Sequence, residues 1–117
     1  MAEITARAYQ DLRDYITANW KYIELRDEEG APVIRLGVGD PRVTWTNVEG
    51  AQTLELTITI RGTDSDITLP STFASSAIYK VASGGDAYSV ESFSAFTMEG
   101  EGDELTVKHQ IQVPQVV

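Results

Sequence analysis

Two stretches of strict alternation between apolar and polar residues constrain the fold of this chain most strongly. The first runs over residues 52–61, and its apolar positions are Leu54, Leu56, Ile58 and Ile60. The same period of two returns later, at Leu105, Val107, His109, Ile111 and Val113. This period is typical of strands with one buried and one wet face. The sequence therefore predicts a mostly antiparallel sheet with a solvated face.

The beginning of the chain has the period of a helix instead. Apolar side chains recur there at spacings of three and four residues, with charged residues between them, at Ile4, Ala8, Leu12, Tyr15 and Ile16. This spacing predicts an amphipathic helix over about residues 3–18, ending near Asn19, whose apolar stripe is available to pack against a sheet.

After the helix the pattern is that of short strands separated by turns. We expect a hairpin around Glu28-Glu29-Gly30, a strand over 43–46, an edge segment over 67–69, a strand over 90–98 with an irregularity near Phe93, and a last strand over 104–113. Residues 71–83 are ambiguous. The spacing of Phe73, Ala77, Ile78 and Val81 favours a short helix there.

Together these elements predict an α+β fold. An N-terminal amphipathic helix is followed by a mostly antiparallel sheet of about six strands, which forms a small sandwich or barrel. At 117 residues the chain has room for one core. We therefore expect a single domain over residues 1–117, with a β-rich body over about 21–113 and a short C-terminal tail.

Composition narrows the classes of function. The formal charge is −9, from 18 acidic and 9 basic residues, which opposes nucleic-acid binding because Lys and Arg must displace counterions from phosphates. There is no cysteine, which excludes disulfides, thiol catalysis and thiolate metal sites. Neither a signal peptide nor a membrane span is recognisable. We expect a protein that is made in a host cytoplasm and binds neither nucleic acid nor membrane.

No motif identifies a reaction, so we expect no enzyme and no cofactor. His109 is the single histidine and lies on the apolar face of its strand, which favours a structural role, as a partly buried histidine or one in a subunit contact. The Asp64-Ser65-Asp66 turn lacks the later ligands of a calcium loop and is interpreted as a solvated turn. The acidic residues of 99–104 favour a charged hairpin tip that protects solubility, with weak cation binding or a basic partner as alternatives.

Aromatic and tail residues are the candidates for partner binding. Trp20 and Tyr22 lie where the helix meets the first strand, and Trp45 lies in a short strand. Large amphipathic rings are enriched at interface hot spots, although each can also be a core residue. The tail is apolar and uncharged, and it can dock on a neighbour as an added strand through Pro114, Val116 and Val117.

Four segments together resemble small virion structural proteins of tailed bacteriophages and prophages of Gram-positive bacteria. They are ANWKYIEL at 18–25, GAQTLEL at 50–56, SDITLP at 65–70 and DELTVKH at 103–109. The resemblance implies a bacteriophage virion protein present in many copies, as a homo-oligomer or symmetric array that contacts the major capsid protein or tail and connector proteins. It carries no catalytic residues over to this chain.

Within that resemblance we expect a capsid decoration protein that binds the outer head surface. A tail-completion or head-tail connector ring protein is the alternative in the same class. A carbohydrate-binding β module is a further alternative, and it would need Trp20, Tyr22 and Trp45 exposed together on one face. A small-molecule enzyme would instead need a pocket in which His109 meets an acidic residue.

Overall fold

The computed structural model describes residues 2–114 as one helix and seven strands in two antiparallel sheets. The first sheet has the order β2-β1-β5-β6 and the second β3-β4-β7, which confirms the predicted α+β fold as a small sandwich. The bounds are α1 Ala6–Asn19, β1 Tyr22–Arg26, β2 Pro32–Gly37, β3 Val43–Thr46, β4 Thr53–Arg61, β5 Ser71–Tyr79, β6 Ser89–Met98 and β7 Glu104–Gln112.

The core lies between the two sheets and is organised by β4. This strand pairs along its whole length with β7, from Thr53 opposite Gln112 to Arg61 opposite Glu104. Its four alternating apolar residues are completely buried, as the sequence predicts. Each side chain of this size contributes roughly 1.5–3 kcal/mol when it leaves water. The facing sheet contributes Ile23, Leu25, Phe73, Ile78 and Met98.

The short helix predicted over 71–83 is wrong, because most of this segment is the strand β5. It lies inside the first sheet, with Ile78 opposite Ile23 of β1 on one side and Ser89 of β6 on the other. Residues 76–79 are all buried, so no alternation marks the strand in the sequence. Ser and Thr have low helix propensity, and the hydrogen-bonded pairing of this segment with β1 and β6 stabilises it as a strand.

The edge segment predicted over 67–69 is also not a strand. Ile67 is buried, at 8% exposure, but it lies in the connection from β4 to β5. Its backbone N–H donates to the Asp64 carbonyl at 3.1 Å, which closes a turn instead of joining a sheet. The apolar side chain therefore anchors a loop.

The irregularity predicted near Phe93 is confirmed. Phe73 of β5 lies opposite Phe96 of β6, whereas Ser75 lies opposite Ser92, so β6 holds two more residues than β5 between these pairs. Such a bulge bends a strand and increases its local twist. Phe93 and Phe96 both pack against the core beside it.

The helix α1 begins and ends close to its predicted bounds. The side that packs against the sandwich, however, is not the predicted apolar stripe. Thr5 caps it, and its Oγ1 accepts a hydrogen bond from the Ala8 N–H at 3.3 Å. Of the apolar stripe, only Ile16 is buried, and the second buried residue of the helix is Arg13. Most of the stripe therefore faces outward.

Candidate interaction surfaces

The exposed part of the helix stripe is the largest apolar feature on α1. We call Ile4, Leu12 and Tyr15 the apolar helix stripe, and their exposures are 55%, 45% and 51%. Leu12 and Tyr15 are three residues apart, so the helical period places them on one side of α1, and Ile4 lies just before the N-cap of the helix. Contiguous exposed apolar residues of this kind mark interaction sites more often than isolated ones do.

A cluster around Lys80 continues the stripe beyond the end of the helix. The Lys80 ammonium donates a hydrogen bond to the Tyr15 hydroxyl at 2.9 Å and lies 5.2 Å from the ring centroids of both Tyr15 and Tyr88. The Tyr88 ring meets Trp20 edge to face at 5.2 Å between centroids. The hydrogen bond from Lys80 to Tyr15 raises the pKa of Lys80, so the cluster carries a fixed positive charge.

The three aromatic residues predicted from the sequence are all half-buried. The Trp45 Nε1 donates to the Trp20 backbone carbonyl at 2.8 Å, and both rings pack against the core. The Tyr22 ring covers Gly37, where an added Cβ would lie 2.8 Å from the ring. These side chains join α1 to the sandwich, and they do not form the exposed group of rings that a sugar-binding face needs.

A cleft of about 460 Å³ lies between α1, the β3–β4 turn and the end of β7. We call it the helix cleft. The Gln10 side chain closes one part of it, because its Oε1 accepts a hydrogen bond from the Gly50 N–H at 3.0 Å. Its lining includes Arg7, Tyr9, Gln10, Arg13, Glu49 and Pro114.

Arg13 is a buried cation on the wall of this cleft. Its side chain is 4% exposed; Nη1 donates to the Val113 carbonyl, and Nη2 donates to the Gln10 Oε1 at 2.9 Å. The Nε is buried without a partner, and no carboxylate within residues 2–114 lies within ion-pair distance of the guanidinium. A buried charge that has only neutral acceptors is costly.

The sequence interpretation grouped Arg13 with the polar residues of the helix and missed this role. The available signal was its spacing: Arg13 is three residues before Ile16 and four after Tyr9, on the face that packs. That spacing alone does not distinguish a buried arginine from an exposed one, because the sequence does not show which side of α1 faces the sheets.

The predicted tail residues are only partly within the described chain. Pro114 is half-buried, and its carbonyl accepts a hydrogen bond from the Gln52 Nε2. The Val113 N–H donates to the Gln52 carbonyl at 2.9 Å. Val116 and Val117 lie outside the described residues, so strand addition by the tail stays a prediction.

The Asp64-Ser65-Asp66 turn is bound by an arginine. The Arg42 guanidinium lies 2.8 Å from Asp40, 3.1 Å from Asp64 and 2.8 Å from Asp66. Its hydrogen bonds lower the pKa of Asp40 to about 2 and lower that of Asp66 as well. The carboxylates that suggested a cation site are therefore bound by a cation from within the chain, which leaves the group of three aspartates and one arginine at a net charge of −2. Among residues 2–114, no group of three or more acidic or histidine side chains is placed to hold a metal ion.

The connection from β6 to β7 forms an exposed acidic tip, residues 99–104. The Asp103 carboxylate accepts hydrogen bonds from the N–H groups of Glu99 and Gly100, at 2.8 and 3.0 Å, which lower its pKa. Glu104 pairs with Arg61 at 2.9 Å. The remaining acidic residues of the tip, Glu99 and Glu101, are exposed and lie in no ion pair within the described chain.

His109 is completely buried between the sheets, as its position in the alternation predicts. Its Nδ1 shares a hydrogen bond of 2.7 Å with the Ser76 hydroxyl, and its Nε2 shares one of 2.8 Å with Ser89. Burial lowers its pKa, although the charge of Glu91 acts in the opposite direction. Both ring nitrogens bind hydroxyl groups, and no carboxylate is hydrogen-bonded to the imidazole. The arrangement links the two sheets through three polar side chains.

Comparisons with known proteins give no relative: no family model, no curated protein and no solved structure matches the chain. In the part of the chain that the structure describes, no helix is long and apolar enough to cross a membrane.

Proposed function

We propose that this chain is a virion structural protein of a tailed bacteriophage, which binds the outer surface of the head in many copies and stabilises the capsid. The proposal combines the sequence resemblance with one observation, the apolar helix stripe and its continuation through the Lys80 cluster. This surface is fixed to the sandwich by Trp20 and Ile16, and it offers apolar area together with one positive charge.

The energetics of the stripe suit repeated weak binding. Ile4, Leu12, Tyr15 and Tyr88 are each about half exposed. Covering the exposed half of such a side chain contributes roughly 1 kcal/mol, which gives a modest interface for one copy. Symmetric repetition multiplies modest contacts into a large effective affinity, because each bound copy adds to the same shell.

The test is to label purified particles of the parent phage with a gold-tagged antibody to this protein and to image them. Gold spread over the heads is the expected result. A single cluster at the neck or along the tail would contradict the decoration role and support the tail-completion or connector alternative. Particles without gold would overturn the whole virion proposal.

A pair of variants connects the labelling to the stripe. Leu12→Ser removes an exposed apolar side chain from the stripe, and we expect it to reduce the number of copies per head. Val33→Ser removes an exposed apolar side chain from β2, away from the stripe, and is the matched control. If both variants were present in equal numbers of copies per head, the stripe would not be the surface that binds the capsid.

A further inference from the structure

The helix cleft contains a buried positive charge that lies in no ion pair within residues 2–114, although the Asp14 carboxylate is near enough to attract it. The Arg13 guanidinium donates only to a backbone carbonyl and a side-chain amide, and its Nε has no partner. Arg7 and Glu49 also line the cleft, so its three charged residues, two basic and one acidic, leave a net charge of +1. The whole chain carries a net charge of −9, so the charged residues that line the cleft have the opposite net sign. A carboxylate that entered the cleft would be drawn to Arg13.

The acidic tip presents such a carboxylate on a narrow support. Glu101 stands between Gly100 and Gly102, and a Cβ added at either glycine would meet no atom within 4 Å. The base of the tip is firmly held, because a Cβ added at Gly62 would lie 2.0 Å from the Gly100 carbonyl oxygen. Asp103 and Glu104 are engaged within the tip and with Arg61, which leaves Glu99 and Glu101 exposed and in no ion pair within the described chain. Of these two, Glu101 is the one between the two glycines.

The cleft and the tip lie at opposite ends of the second sheet. The cleft adjoins Gln52 and Pro114, at the start of β4 and the end of β7, whereas the tip adjoins Arg61 and Glu104. The nine residues of β4 separate them by about 30 Å, since a strand rises about 3.3 Å per residue. The tip of one molecule therefore cannot reach its own cleft.

We propose that copies of this chain associate head to tail, with the acidic tip of one copy seated in the helix cleft of the next and Glu101 paired with Arg13. The occupant is a second copy because the two surfaces are complementary in charge and lie at opposite ends of one molecule. A contact between different surfaces is heterologous, so its repetition produces a ring or a filament. This contact rests on the proposed function only in that the copies would associate within a virion. Purified protein alone is enough to test whether the contact forms.

Sedimentation velocity over a range of protein concentrations measures the association. We expect the mass of the wild-type protein to rise above the 12.8 kDa of one chain. Glu101→Lys should weaken association about tenfold or more, because it places a cation against Arg13. Glu28→Lys makes the same charge change in the exposed β1–β2 turn and should leave association unchanged. An equal effect of both variants would show that only net charge matters and would overturn the contact.

Disulfide trapping tests the geometry without altering Arg13, whose replacement can unfold the helix junction. Since the chain has no cysteine, Ala6→Cys on the cleft and Gly102→Cys on the tip can be combined in one chain. A Cβ added at Gly102 meets no atom within 4 Å, and Glu101 stays in place. A heterologous contact then gives a ladder of trimers and larger species, whereas a symmetric one stops at dimers. Pairing Ala6→Cys with Glu28→Cys is the control and should give no ladder.

Several outcomes would overturn the proposal. One is a monomer at about 1 mM protein together with the absence of a ladder. Another is trapping that ends at dimers. Either result combined with gold on phage heads would leave the proposed function standing and remove only this contact, so the two failures are distinguishable.

Discussion

At the scale of single residues, Arg42 forms ion pairs with three carboxylates from two separate segments of the sequence. Asp40, Asp64 and Asp66 would repel one another without the guanidinium between them. Their contacts hold the turn before β3 against the connection from β4 to β5. Charge-assisted hydrogen bonds of this kind are stronger than neutral ones, and several around one arginine form a network.

Arg42→Gln should destabilise the protein by about 1–2 kcal/mol, because the network is lost and the carboxylates remain together. The pKa of Asp40 should rise from about 2 toward its usual 3.8, which carboxyl NMR titration measures. Arg61→Gln is the control, since its ion pair with Glu104 is half exposed and should contribute less. Equal losses of stability would contradict a special role for Arg42.

His109 predicts a pH dependence of stability. Its folded pKa is below the unfolded value of 6.5, so the unfolded chain takes up the proton first. The stability that neutral His109 contributes is complete above pH 6.5 and is lost as the pH falls from there toward the lower folded pKa. Chemical denaturation at pH 7 and pH 5 should show this loss.

His109→Gln should lower stability at pH 7 by about 1–3 kcal/mol, because buried serine hydroxyls lose their partner. It should also flatten the dependence between pH 7 and pH 5. If the variant kept the full pH dependence of the wild-type stability, groups other than His109 would be responsible for that dependence.

The face on which His109 lies was predictable from the sequence, whereas its two serine partners and the burial of Arg13 were not. His109 has the parity of Val107 and Ile111, and alternation alone places it inside the sandwich. Arg13 is charged, and solvent exposure is the default for arginine. Its burial follows from which side of α1 meets the sheets, and that choice depends on the Trp20 and Trp45 junction far along the chain.

At the scale of elements, α1 is a helix with two usable faces. One holds Ile16 and Arg13 against the sandwich, and the adjoining one carries the apolar helix stripe. The sequence predicted the helix and the stripe correctly but not the direction of the stripe, because periodicity shows that a face is apolar and not what covers it. The prediction of a helix in place of β5 failed for a related reason. Successive residues of β5 are buried on both faces, so its sequence lacks the alternation that reveals β4.

Leu12→Ser should change the stability of the isolated protein by less than about 0.5 kcal/mol, since the side chain is already exposed at 45%. Ile16→Ser, one turn further along α1, should cost several times more, because that side chain is buried at 8% exposure. Thermal unfolding of the two variants compares them directly. A large loss for Leu12→Ser would mean that the stripe contributes to folding.

At the scale of the whole molecule, both sheets depend on the inward face of β4. Ile58→Asp should prevent folding, because it places a charge in the core opposite Val107. Thr57→Asp, one residue earlier on the other face and opposite Lys108, should be tolerated. Circular dichroism and heteronuclear NMR spectra distinguish the two outcomes. A folded Ile58→Asp variant would contradict the sandwich.

The class of fold was predictable, but the pairing of strands was not. Alternation reveals β4 and β7 as half-buried strands without saying that they are neighbours. Their pairing, and the placement of β5 between β1 and β6, follow from how the two sheets share one core. The helix cleft exists only once these long-range pairings bring Pro114 beside α1, so no local pattern could have indicated it.

The pairing of β4 with β7 also has a consequence during synthesis on the ribosome. Leu54 pairs with Ile111, which is translated 57 residues later. Until then the nascent protein holds β4 paired on one side only, by β3, with its other edge open and its apolar face lacking Val107. Prematurely terminated chains should therefore bind chaperones or be degraded. Slow translation between β4 and β7 would prolong the time for which this edge stays open.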